Sequence, residues 1–236
     1  MQRELELEML AQPDDLTCGP TCLQAVYRYF GEEMPLDQVI REIRQLEEGG
    51  TLAVLLACHA LRRGYRATIY TFNLEVFDPT WFQTPNIDLV ERLEAQMALK
   101  DSLKLRAASR AYIEYFRLGG VMRMQDLTSS LIRRYLNRSI PILTGLSATY
   151  LYGGPREFGR DCVPDDVRGL PVGHFVVLSG YDKLRRKVQV ADPYLPNPLG
   201  EEHYYEVDLD RLVSAILLGV LTYDANLLIV EPRKRR

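Results

Sequence analysis

The sequence predicts an α+β fold in one domain spanning 1–236, on three observations. Helical periodicity dominates the earlier part of the chain, β-branched and aromatic alternation dominates the last hundred residues, and short turns rather than helices separate those later strands. Hairpins are therefore expected, not βαβ units. No internal repeat, low-complexity linker or shift of composition marks a domain boundary, and 236 residues are ample for one core.

The elements follow in order. Residues 4–10 alternate charge with Leu and read as a short strand or extended arm, broken by Pro13-Asp14-Asp15. A helix is expected from about Pro20 to Phe30, because Leu23, Val26, Tyr27 and Phe30 recur at helical spacing and Gly31 suits its C-terminal cap. Two more helices are expected over 35–46, stopped by Gly49-Gly50, and over 51–63, stopped by Gly64. Arg66 to Phe72 reads as a strand. From about 86 to 137 the pattern is helical in three pieces, marked by Leu89, Leu93 and Met97, then Leu105, Ala108, Tyr112 and Tyr115, then Leu127, Leu131, Ile132 and Tyr135. Strands are then expected at 140–144, 174–180, 187–191, 203–207 and 227–230.

Composition excludes several function classes. With 29 basic against 32 acidic side chains the chain does not read as a nucleic-acid binder, and the closing Arg233-Lys234-Arg235-Arg236 is a short charge run read as a solvated tail. The acidic, alternating N-terminus lacks the basic and apolar regions of a secretory signal, so a cytoplasmic location is expected. The apolar run between Leu212 and Tyr223 is too short for a membrane span, which needs about 20 residues. In a reducing compartment, Cys18, Cys22, Cys58 and Cys162 are expected as thiols.

The chemistry concentrates in the segment from Gln12 to Cys22. It places Cys18 at the start of the first helix, where the macrodipole and unsatisfied N–H groups favour a thiolate nucleophile. Gly19 is expected to keep the approach to the sulfur open. The backbone N–H of Cys18 and the side-chain amide of Gln12, six residues earlier, are then candidates for the two donors of an oxyanion hole. A thiolate also needs a base, and the base an orienting group. His174 opens the run Gly173-His-Phe-Val-Val-Leu-Ser-Gly180, which a short polar loop separates from Lys187-Val-Gln-Val-Ala-Asp192. Pairing Gly180 with Arg186 across a loop of 181–185 sets His174 directly opposite Asp192, on one face of the sheet. A slip of one residue would undo this.

These residues resemble a known family. Gln12…Cys18-Gly, Gly-His174-Phe-Val-Val-Leu and Val-Ala-Asp192-Pro193 are similar to the bacteriocin-processing, double-glycine-leader cysteine peptidases of bacteria, peptidase family C thirty-nine in the papain-like clan. The resemblance implies a papain-like fold with a nucleophile helix packed on an antiparallel sheet. It also implies Cys18 as nucleophile, His174 as base, Asp192 as orienting acid, Gln12 as oxyanion donor, and a helical insertion at about 86–137. The expected activity is thiol-dependent hydrolysis of a peptide or small amide, without cofactor or metal. An acyl or peptidyl transferase using the same thioester, and a non-catalytic peptide-binding module, are the rival readings.

The remaining chemistry-bearing residues read as structural. Cys22, one turn after Cys18 among apolar neighbours, is expected as a core thiol. Cys58-His59 lies in an amphipathic helix without metal-ligand spacing, and His203 reads as a half-exposed strand residue. Gly153-Gly154 is no phosphate loop. The long segment 150–171, with Tyr152, Arg156, Phe158, Arg160, Asp165 and Asp166, reads as a loop, either a substrate contact or a solvated excursion.

Overall fold

A computed structural model describes residues 2–46, 49–159 and 161–233. Arg160 and the Lys234–Arg236 part of the basic tail lie outside the described residues. The chain runs β1 (Gln2–Glu4), α1 (Cys18–Tyr29), α2 (Leu36–Glu42), α3 (Ala53–Arg62) and β2 (Arg66–Thr71). It continues through α4 (Thr80–Gln83), α5 (Leu89–Leu99), α6 (Leu103–Arg117), β3 (Val121–Arg123), α7 (Ser129–Leu136), β4 (Ile142–Ser147) and α8 (Ala148–Tyr152). Then come β5 (Glu157–Phe158), β6 (Val163–Pro164), β7 (Gly173–Asp182), β8 (Lys187–Ala191), β9 (Tyr204–Asp208), α9 (Leu209–Leu218), a 3₁₀ turn (Gly219–Thr222) and β10 (Asn226–Glu231).

The α+β expectation holds. One sheet in the order β3-β2-β10-β4-β7-β8-β9, with β1 added on β7, carries every strand except the small β5–β6 pair. All its pairings are antiparallel save β2 with β3. Because side chains alternate across a strand, β7 serves two cores. Phe175 and Val177 join Tyr27 of α1, Leu56 of α3 and Tyr112 of α6 on one side. Val176 and Leu178 join Ile132 of α7, Val188 of β8 and Leu212 of α9 on the other. Each fully buried aliphatic side chain contributes about 1.5–3 kcal/mol, so β7 is anchored from both faces.

Two expectations need correction. The helix expected over 35–46 stops at Glu42: Ile43 turns extended and buries its side chain, and Leu46 and Gly50 close a turn by a 3.0 Å hydrogen bond. The hairpin register also differs. Asp182 pairs with Lys187 and Gly180 with Gln189, so the loop is 183–186, and a bulge at Ser179 then shifts the pairing to Leu178 with Val190 and Val177 with Ala191. His174 is therefore not opposite Asp192. It pairs with Leu146 across β4, and Asp192 follows the end of β8.

Candidate active site

The bulge decides which way Asp192 faces. Continued unshifted from the turn, the register would set Asp192 across from Val177, on the face turned away from His174. The extra residue sets it across from Val176 instead, a diagonal neighbour on His174's own face. The two side chains meet there: His174 Nε2 lies 2.8 Å from Asp192 Oδ1.

Asp192 is wholly buried, and all its acceptor sites are used. Besides His174, Oδ1 accepts from the Tyr194 N–H at 2.9 Å, while Oδ2 accepts from the Tyr152 and Tyr205 hydroxyls at 2.7 Å each. Burial raises a carboxyl pKa, but the His174 charge and these donors outweigh it and hold Asp192 below the usual carboxylate range. Burial and the Asp192 charge push both phenols upward, so they remain donors. His203 Nδ1 sits 2.6 Å from the Asp192 carbonyl oxygen and steadies the same turn.

The other ring nitrogen of His174 is not taken by Asp192, and Cys18 lines the same cleft and acts on the imidazole. Burial by itself would lower the imidazole pKa. Asp192 and Cys18 together reverse that and hold it up at about 10. The rings of Tyr152 and Tyr194 flank the imidazole at centroid distances of 6.1 and 6.2 Å.

Cys18 is the first residue of α1 and 9% exposed. No side chain caps the helix: the Thr17 hydroxyl turns back to Asp14, accepting from its N–H at 3.4 Å and donating to its carbonyl at 3.1 Å. The first N–H groups thus stay available to an anion. Gly19 serves packing rather than access: a Cβ there would lie 2.6 Å from the Thr51 methyl and 3.2 Å from Leu56 and Phe175. Cys22, one turn on, is a buried thiol that donates to the Phe175 carbonyl at 3.2 Å and ties α1 to β7.

Gln12 lines the same cleft as Cys18 and His174. Its backbone N–H donates to the Pro193 carbonyl at 2.9 Å, which links it to the loop after Asp192. Side-chain Nε2 donates one proton to the Asp14 carbonyl at 2.9 Å, and Oε1 is buried without a partner. Asp14 thereby holds both Gln12 and the residue before Cys18. The cleft measures about 560 Å³. The segment expected as a loop over 150–171 holds the end of α8 and the β5–β6 pair, and its Gly154, Glu157, Asp161 and Cys162 form part of the wall.

A model of the Peptidase_C39 like family matches residues 4–213. The chain belongs to that family. It is accordingly a cysteine peptidase-like hydrolase by family and fold. Among solved structures, a Bacillus anthracis protein designated a C39-like peptidase superposes with a TM-score of 0.53 at 14% identity, covering 100% of both chains. A double glycine motif protease from an AMS/PCAT transporter, solved with its leader peptide, gives 0.46 at 14% identity over 99% of each chain. Xylellain, a cysteine protease from Xylella fastidiosa, gives 0.48 at 12% identity over 99% of this chain and 86% of its own. No curated protein matches the chain. No helix of the described residues is long and apolar enough to cross a membrane.

Within this C39-like fold Gln12, Cys18 and His174 line one cleft, and Asp192 lies buried behind His174, 2.8 Å from its Nε2. Sequence reasoning missed the two tyrosines on Asp192. Alternation along β9 turns Tyr205 toward the core that holds Val190, its partner across the ladder, which was a usable signal. Tyr152 had none, since it arrives from a segment read as irregular.

Proposed function

We propose that the protein hydrolyses peptide bonds through a Cys18 thioester. Cys18 sulfur attacks the carbonyl carbon of the scissile bond, and the oxyanion is met by the Cys18 N–H and the free amide proton of Gln12. The His174 imidazolium gives its proton to the departing amine as the C–N bond breaks, leaving an acyl-thioester and a neutral ring. Water then enters, His174 takes one of its protons, and the hydroxide displaces sulfur to release the carboxylic acid. Asp192 keeps the ring oriented and stabilises its charge throughout.

The observation that carries this reading is one cleft lined by Cys18, the first residue of α1, and by His174, whose Nε2 meets a buried, fully hydrogen-bonded Asp192. Cys18, Cys22 and Cys58 are buried thiols, which suits a reducing compartment, so the reading places the reaction in the bacterial cytoplasm. The test is a peptide-library cleavage screen with Cys18→Ala as control. Cleavage should fall by more than about 10⁴-fold in the variant. Equal cleavage by both proteins would contradict the proposal.

A further inference from the structure

One wall of the cleft carries a carboxyl that the proposed chemistry does not use. Asp224 lines it from the short connection between the 3₁₀ turn and β10, 4% exposed. Its neighbours Tyr223 and Ala225 hold φ values of 68° and 54°, left-handed conformations that cost a non-glycine residue energy. Gly145 makes room for the side chain, since a Cβ there would come within 2.7 Å of Asp224 Cβ and Cγ. The backbone thus spends strain, and the sheet a side chain, to seat an acid in this position.

Asp224 and Cys18 line the same cleft. The Ala53 N–H favours the Asp224 carboxylate, and Ala53 lies two residues from Thr51, whose methyl occupies the space beside Gly19. Yet the carboxyl is not satisfied: Oδ1 is buried with no hydrogen-bond partner. Lys104 lines the same wall, but its ammonium lies over the Tyr223 ring, 4.9 Å from the centroid. Burial pushes the Asp224 carboxyl up to about 7, against the smaller opposing pulls of the Ala53 N–H and Lys104. A lone buried acid of this kind lacks a cation. The other cation of the cleft, the His174 imidazolium, is engaged by Asp192. Among the described residues lining the cleft Asp15, Glu157 and Asp161 add three acids, against Lys104 as the single lysine or arginine.

We propose that Asp224 forms the base of a subsite that selects a Lys or Arg side chain of the peptide substrate. The inference rests on the peptidase reading above and narrows its substrate class. An entering ammonium or guanidinium brings donors to the orphaned Oδ1 and a counter-charge to the carboxyl, while the acidic rim draws basic peptides toward the cleft.

The test uses a fluorogenic peptide library scanned from four residues before the scissile bond to two after it. At one position Lys and Arg should lead, and replacing that Arg by citrulline, its uncharged isostere, should lower kcat/KM roughly 10- to 100-fold. In Asp224→Asn, which keeps an acceptor for the Ala53 N–H, the Arg-to-citrulline ratio should fall to near one. No preference for Arg over citrulline at any position would overturn the subsite, as would a preference that survives in Asp224→Asn. The comparison of Arg with citrulline needs only the unmutated protein. If wild-type protein cleaves no peptide, the peptidase reading fails on its own, and binding of the same labelled peptides to Cys18→Ala decides the subsite. Tighter binding of Arg, lost on adding Asp224→Asn, upholds it; equal binding overturns it.

Discussion

Two buried imidazoles of this protein are held in the same way and end in opposite states. His59 of α3 and His174 of β7 each direct Nε2 at a carboxylate, Glu42 at 3.0 Å and Asp192 at 2.8 Å. Burial lowers the His59 pKa, and Glu42 does not compensate, being 41% exposed and close to Arg63. At His174 the carboxylate is wholly buried and held by four hydrogen bonds, so its charge acts through a low dielectric and the imidazole pKa rises. The surroundings differ too: His59 Nδ1 meets the Tyr27 hydroxyl at 2.8 Å, whereas His174 lines the cleft together with Cys18. A histidine–carboxylate contact alone therefore does not raise an imidazole pKa. Desolvation and anchoring of the acid do.

The comparison is sharpest in activity. Replacing His174 by Gln should lower kcat by about 10³- to 10⁶-fold. His59→Gln should instead leave kcat within a few-fold while costing about 1–3 kcal/mol of stability, because the Tyr27 hydroxyl loses its partner. Steady-state kinetics together with urea unfolding separates the two, and equal kinetic losses would break the distinction. Gln12→Ala comes next, with kcat lowered roughly 10- to 1,000-fold and KM nearly unchanged, the loss of one oxyanion donor. A rise in KM alone would make Gln12 a ground-state contact.

The smallest effect is on stability against pH, and its sign differs between the sites. His174 has a raised folded pKa, so its contribution is complete below the unfolded value of about 6.5 and fades as pH climbs toward about 10. His59 has a lowered one, so its contribution holds above about 6.5 and fades as pH falls through its folded value. Thermal melts from pH 5 to 10 should show His174→Gln losing the alkaline slope and His59→Gln part of the acid one. The same slopes in both variants would contradict the assignment.

Much of the site was legible because its residue types are tied to local structure: a Cys-Gly at a helix start, a His at a strand start, an Asp just past a hairpin strand. The register was not. Loop length predicted Gly180 opposite Arg186, whereas the turn is tighter and Ser179 bulges. The available signal was Gly180 itself, since an isolated glycine inside a strand marks a bulge. The two errors left Asp192 on the expected face, which is why the contact survived a wrong pairing. In the fold, β3 escaped notice because three residues pairing in parallel at a sheet edge carry no alternation to read. Helix α2 was overextended because periodicity continues through Ile43 and Leu46, whose burial comes from a turn.

The central claim is that the buried Asp192 makes His174 an imidazolium while its counterpart in α3 stays neutral. The chain has three histidines, so ring-nitrogen NMR of selectively labelled protein, assigned with His59→Gln and His203→Gln variants, can follow each through a pH titration. His174 should hold the shifts of a doubly protonated ring through pH 8 and lose them near 10, while His59 should already be neutral at pH 7. A His174 ring neutral at pH 7, titrating alongside or below His59, would contradict the account.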